Sequence, residues 1–227
     1  MSDIASEEEI EKSIKAAYLE FKKEPMDSYY KGAIFGVPSR MRVKKIIDEL
    51  GDVGGKTVLD AGCEAGYVSI EIAKLGANVL AFDVCKPAVD RLKRKLNGKN
   101  LRRLKVRPFV ASVHKIPLRS GSVDFVVCSE VLEHVPDVDS AIKELGRVLK
   151  GGGKIIITFP NEGLREKIYP FLKIFGKDAD LEKKVTLFSY STKEMEGRLG
   201  KIFKIKKSYK VPSIFLPLTN VIVCEKP

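Results

Sequence analysis

The run KTVLDAGCEAGY, Lys56 to Tyr67, restricts what this chain can fold into more than any other. Its first part, Thr57 to Leu59, reads as a short buried strand that ends in an acid, Asp60. A turn punctuated by Gly62 and Gly66 follows, then a helix from about Ala65 to Leu75. A strand, a glycine turn and a helix N-terminus in succession let a ligand approach the backbone, because glycine puts no side chain in the way. Asp60, at the strand's carboxyl end, stands where open α/β sheets bind ligands. A second strand, Val79 to Phe82, begins seventeen residues after Gly62 and ends in Asp83. A carboxylate there suits a ribose, whose paired hydroxyls can donate to both of its oxygens. The expectation is a nucleoside-containing ligand; the plain alternative is a tight strand-to-helix turn that binds nothing.

Two phosphate-binding patterns fail on the same residues. The dinucleotide fingerprint G-x-G-x-x-G, counted from Gly62, meets Glu64 and Tyr67 where it needs glycines, and a carboxylate at Glu64 would repel a pyrophosphate. No G-x-x-x-x-G-K-S/T run occurs. The run D-A-G-C-E-A-G resembles instead motif I of class I methyltransferases that use S-adenosylmethionine, with Glu64 in place of that pattern's middle glycine. That cofactor carries no phosphate and has a positive sulfonium, so nearby acids are compatible with it.

A second stretch carries the same resemblance. Pro117 to Asn161 is similar, almost position by position, to the fourth strand, helix and fifth strand of the small-molecule (type 11-like) branch of that family. The matching pieces are S-V-D-F-V-V, S-E-V-L-E-H-V, the helix ending R-V-L-K-G-G-G, and the exit T-F-P-N. The resemblance covers roughly Lys56 to Asn161, and the flanks match in outline only. It implies a Rossmann-like α/β fold: a seven-stranded, mostly parallel sheet in the order 3-2-1-4-5-7-6, strand 7 antiparallel, with helices on both faces. It also implies roles. Asp60, Ala61, Gly62, Cys63 and Gly66 would shape the methionine side, and Asp83 and Val84 the ribose side. Ser112 or Val113 would border adenine, at a place where the pattern has an acid, and Ser129 begins the segment that crosses the cleft. Glu130 and His134 are the ionisable groups expected to face the acceptor. His134 has the intrinsic pKa of a general base at neutral pH, and its plain alternative is a histidine that only hydrogen-bonds within the loop.

The chain has 227 residues, 44% hydrophobic and 31% charged, which suits one soluble domain with a sizeable core. No run of eighteen apolar residues occurs, the N-terminus lacks the pattern of a secretory signal, and a cytoplasmic location is expected. The four cysteines (Cys63, Cys85, Cys128, Cys224) show no paired ligand spacing, so zinc is not expected. The net charge is +11, and the basic residues from Arg91 to Arg107 follow one another with no acid between them. They read either as a solvated helix leading to a protected edge strand or as a patch for RNA or an anionic membrane.

Residues 1–50 are expected to form a helical lid or cap, with one helix over Ser6 to Lys23 and another from about Ser39 to Leu50; the methyltransferase domain would occupy 51–227. Further helices are expected at Pro87 to Leu96, after Pro136 and Asp137, and at Ser191 to Leu199. The glycines Gly151 to Gly153 should break the middle one, and strands should run over Lys105 to Val110, Lys154 to Phe159, Phe203 to Val211 and Thr219 to Cys224. An apolar, cap-like insertion is expected at about 161–190, where Leu164 to Phe175 carries more apolar surface than one helix face can bury on a sheet. The leading functional expectation is transfer of a methyl group to O, N or C of a small or lipid-like acceptor. Two alternatives are an RNA or protein methyltransferase docking through residues 91–107, and a cofactor-binding module without catalysis.

Overall fold

The computed structural model describes residues 36–165, 167, 188–211 and 217–227. The expected helix at Ser6 to Lys23, most of the segment after it and nearly all of the cap at 161–190 lie outside the described residues. Within them the chain runs α1 (Gly36–Leu50), β1 (Thr57–Ala61), α2 (Tyr67–Lys74), β2 (Asn78–Asp83), α3 (Lys86–Leu96), β3 (Val106–Val110), β4 (Val123–Ser129), a 3-10 turn (Leu132–His134), α4 (Val138–Val148) and β5 (Leu149–Pro160). It ends in α5 (Thr192–Leu199), β6 (Lys204–Val211) and β7 (Thr219–Glu225).

The seven strands form one sheet in the order β3-β2-β1-β4-β5-β7-β6, as expected. Strands β1 to β5 are parallel, and β7 runs antiparallel to both β5 and β6. Strands alternate their side chains between two faces, so each face has its own core. On one face Val58, Val79, Val127 and Ile156 pack with Val43, Ile46 and Leu50 of α1, Ile72 of α2 and Leu92 of α3. On the other Leu59, Val126, Ile155 and Ile222 pack with Ile142 and Leu145 of α4 and Met195 and Leu199 of α5. Burying each such aliphatic side chain is worth about 1.5–3 kcal/mol.

Both sheet edges are blunted. The bonds from Val79 N–H to Lys105 C=O and from Ala111 N–H to Asp83 C=O point the odd-numbered residues of β3 inward. Pro108 therefore lacks its N–H on the open side, and Val106 spends its own on Leu104 C=O. At the other edge Lys204, Lys206, Lys207 and Lys210 are exposed along β6, and a row of charges discourages edge pairing.

One boundary differs from expectation. Gly151 to Gly153 do not separate α4 from a later strand; β5 begins at Leu149, directly after the helix. Gly152 has φ +72°, and Gly152 and Gly153 exchange backbone hydrogen bonds with Lys226. The Lys226 ammonium also donates to the carbonyls of Gly146 and Leu149, 2.7 Å each, and so closes the end of α4.

Candidate active site

The expected cofactor residues come together along one edge of the sheet, at the carboxyl ends of β3, β2, β1 and β4. The turn after β1 is stitched to β2: Gly62 and Cys63 donate to Phe82 C=O at 2.9 and 2.8 Å, and Glu64 N–H donates to Asp83 Oδ2 at 2.9 Å. Three of its residues are left-handed, Gly62 (φ +73°), Glu64 (φ +49°) and Gly66 (φ +80°). At Glu64 that conformation costs about 1–2 kcal/mol, which a hydrogen bond to the charged Asp83 offsets.

The glycines serve a purpose beyond the expected one. A Cβ on Gly62 would stand 2.3 Å from Val131 Cγ2, and one on Gly66 would stand 2.1 Å from Leu92 Cδ1. On the Cβ side the space they leave is filled by the protein's own side chains. Gly66 lets the start of α2 close on Leu92 of α3, and Gly62 lets the loop after β4 close over the turn.

Asp60 also departs from expectation. It is 2% exposed and accepts a hydrogen bond from the Ser69 hydroxyl, so it fastens the first turn of α2 from beneath instead of facing the cleft. Burial, only partly offset by Ser69, pushes its carboxyl up to about 6. Asp83 takes the N–H of Cys85 on Oδ1 at 2.8 Å and that of Glu64 on Oδ2, and burial raises it despite these bonds. The carboxyl keeps acceptor capacity beyond these bonds, and the residue is half-buried. Ala61 and Cys63 are buried, while Val84 is half-buried beside Asp83. Burial pushes the thiols of Cys63 and Cys128 up, so neither is an ionised nucleophile. After β3, the Ser112 hydroxyl accepts from His114 N–H at 3.3 Å, and Val113 is buried. Ser129 shares a hydroxyl–hydroxyl hydrogen bond of 2.9 Å with Thr158.

The loop after β4 gathers charge. Glu130, left-handed at φ +57°, is clasped between two arginines: Arg165 donates at 2.7 Å and Arg42 lies at 3.3 Å, both from distant segments. Glu130, expected to face the acceptor, has its carboxylate engaged by these two arginines instead. His134 keeps a quarter of its side chain exposed, with Nε2 3.9 Å from Glu133 Oε1. Glu133 was absent from the expected site. It is 2% exposed, its Oε2 has no hydrogen-bond partner among the described residues, and burial, followed by the Glu130 charge, pushes its carboxyl well up. Its position in S-E-V-L-E-H-V gives no direction, because a 3-10 turn follows neither helix nor strand periodicity. Glu133 C=O also accepts Phe188 N–H at 3.0 Å, which brings the stacked rings of Phe188 and Tyr190 beside the loop. These rings, Pro136, Asp137 and Arg198 line an open hollow of about 440 Å³.

Most of the basic stretch lies elsewhere, although the Lys95 ammonium reaches Ala65 C=O in the turn after β1. Lys93, Arg94 and Lys95 occupy the last turn of α3, where cations suit the helix dipole, and the remainder leads into the amino end of β3, opposite the strand ends that carry the site. Among the described residues no group of three His, Cys, Asp or Glu side chains is placed to hold a metal ion, and no helix is long and apolar enough to cross a membrane.

Comparison with known proteins agrees with this arrangement. Residues 59–157 match the family described as Methyltransferase domain. A ubiquinone biosynthesis O-methyltransferase of Xanthomonas oryzae is 40% identical over 111 residues, 48% of this chain and 45% of that protein. One from Shewanella pealeana is 34% identical over 134 residues, 58% of this chain and 55% of that protein. The chain thus spans about half the length of the curated relatives it matches. Among solved structures, magnesium protoporphyrin IX methyltransferase from Synechocystis with bound SAH superposes with a TM-score of 0.75 at 17% identity, covering 98% of this chain and all of that one. A likeness at that identity speaks for the fold. Two motifs, the sheet order and the family match agree: residues 59–157 carry a methyltransferase domain, and the fold is that of the class I S-adenosylmethionine-dependent methyltransferases.

Proposed function

We propose that the protein moves a methyl group from S-adenosylmethionine to a hydroxyl oxygen of a small, lipid-like acceptor. The observation that carries the cofactor half is Asp83. Its carboxyl, at the end of β2, is oriented by the N–H groups of Glu64 and Cys85 and has acceptor capacity left for a ribose hydroxyl. The residues around it fit the rest of that cofactor: a turn with no phosphate cradle, and acids that tolerate a cation. Asp83 would hold the ribose, Val84 would flank it, and Ser112 with the backbone of Val113 would border adenine. The backbone of Ala61 to Cys63 would lie along the methionine side.

When bound, the cofactor supplies a methyl group on a sulfonium that is displaced in line without acid assistance. The chain's task is to align the acceptor and exclude water. A hydroxyl acceptor must also lose its proton. His134, partly exposed at the mouth of the β4 loop, is the group with a suitable intrinsic pKa. The oxygen acceptor is favoured because the relatives over this segment are named as O-methyltransferases of ubiquinone biosynthesis. The test is calorimetric titration with S-adenosylmethionine and its demethylated product, with a nicotinamide dinucleotide as control, followed by methyl transfer to a quinol. Binding of the first two alone and methylation on oxygen are expected. A folded protein that binds neither would refute the reading.

A further inference from the structure

We propose that Glu64 makes the cofactor site prefer the cationic methyl donor over its neutral demethylated product. The inference rests on the cofactor reading above and goes beyond it, because Glu64 is where this turn departs from the glycine of the family pattern. The chain keeps a left-handed backbone there, φ +49°, that glycine would adopt without strain. The side chain is thus retained at a position that favours having none.

Its surroundings say what a carboxylate could do. Glu64 N–H is bonded to Asp83, the residue assigned to the ribose, so on that assignment the Glu64 backbone lies beside the ribose position. Its charge acts with those of Asp60 and Asp83 on the Cys63 thiol, which places three carboxylates around one turn. Lys95, whose ammonium donates to Ala65 C=O at 3.2 Å, offsets part of this negative charge from the α3 side. Donor and product share adenosine, carboxylate and ammonium. They differ by one methyl group and one positive charge at sulfur. A carboxylate in a partly buried turn therefore strengthens the donor's binding and leaves the product's nearly unchanged. The consequence is a site that releases its product and is weakly inhibited by it.

The experiment is calorimetric titration of the wild type, Glu64→Gln and Glu64→Gly with three ligands. These are S-adenosylmethionine, S-adenosylhomocysteine and sinefungin, which carries a protonated amine in place of the sulfonium. Circular dichroism and thermal melts of each variant check the fold; Glu64→Gly, which removes the backbone strain, should fold at least as well as the wild type. In both variants the product-to-donor ratio of dissociation constants should fall roughly tenfold. Sinefungin should weaken with the donor, and the product should change less than twofold. Equal weakening of all three would mean that Glu64 holds a shared part of the ligand, and an unchanged ratio would mean that its charge is not sensed; either overturns the proposal while leaving the cofactor reading intact. A folded wild type that binds none of the three overturns both.

Discussion

Replacing Gly66 by alanine should destabilise the protein for two separable reasons, and a second substitution should remove only one of them. The left-handed backbone at Gly66, φ +80°, costs an alanine about 1–2 kcal/mol. Its Cβ would also stand 2.1, 2.8 and 2.9 Å from Cδ1, Cδ2 and Cγ of Leu92, which is fully buried. Overpacking of that kind costs about 1–3 kcal/mol more. Gly66→Ala should therefore lose about 2–5 kcal/mol. Leu92→Ala alone should lose about 2–5 kcal/mol through the cavity it opens. In the double variant all three close atoms are gone and the new methyl group fills part of the cavity, so the clash vanishes while the backbone strain stays. The double variant should be about 1–3 kcal/mol more stable than the sum of the single losses predicts. Urea unfolding of the four proteins gives each free energy by linear extrapolation. Losses that add within about 0.5 kcal/mol would refute the argument that the α2–α3 contact requires this glycine.

Asp60→Asn tests burial of charge. The carboxyl is raised from 3.8 to about 6, so the folded state holds its proton where the unfolded state has lost it. Stability therefore falls as pH rises from about 4 to about 6 and is constant beyond, by up to about 3 kcal/mol for two units. Asparagine, which cannot ionise, should equal the wild type near pH 4 and exceed it by up to that amount at pH 7, as read by melts across the range; a constant gap would contradict the assignment. Asp83→Asn should weaken S-adenosylmethionine binding roughly tenfold or more by calorimetry, and unchanged affinity would mean that the ribose lies elsewhere. Glu130→Ala should cost about 1.5–3 kcal/mol in urea unfolding through its lost arginine contacts. Glu130→Gly should recover about 1 kcal/mol of that by relieving φ +57°; a glycine variant no better than alanine would show that the backbone is unstrained.

Much of the frame was legible in the residues themselves. Apolar runs ending in an acid placed β1 and β2 within a residue or two, and the helix expected at Ser191 to Leu199 is α5, whose start the structure closes with a Ser191–Glu194 capping box. The spacing of Asp60, Gly62, Gly66 and Asp83 pointed to a nucleoside ligand. The sheet order came from resemblance, since local periodicity does not say which strands are neighbours. What only the tertiary structure decided are contacts between residues far apart in the chain. Leu92 and Val131 occupy the space that Gly66 and Gly62 leave, so these glycines answer to packing first. Arg42 and Arg165 meet at Glu130, and Lys226 closes the carbonyl end of α4. Asp60 and Glu133 read as site acids or as nothing in particular until burial gives them their direction and their raised pKa values. The reason is physical. Backbone propensity and hydrophobic period act over a few residues, whereas the desolvation of a carboxylate and the room beside a glycine depend on which distant segment folds against it.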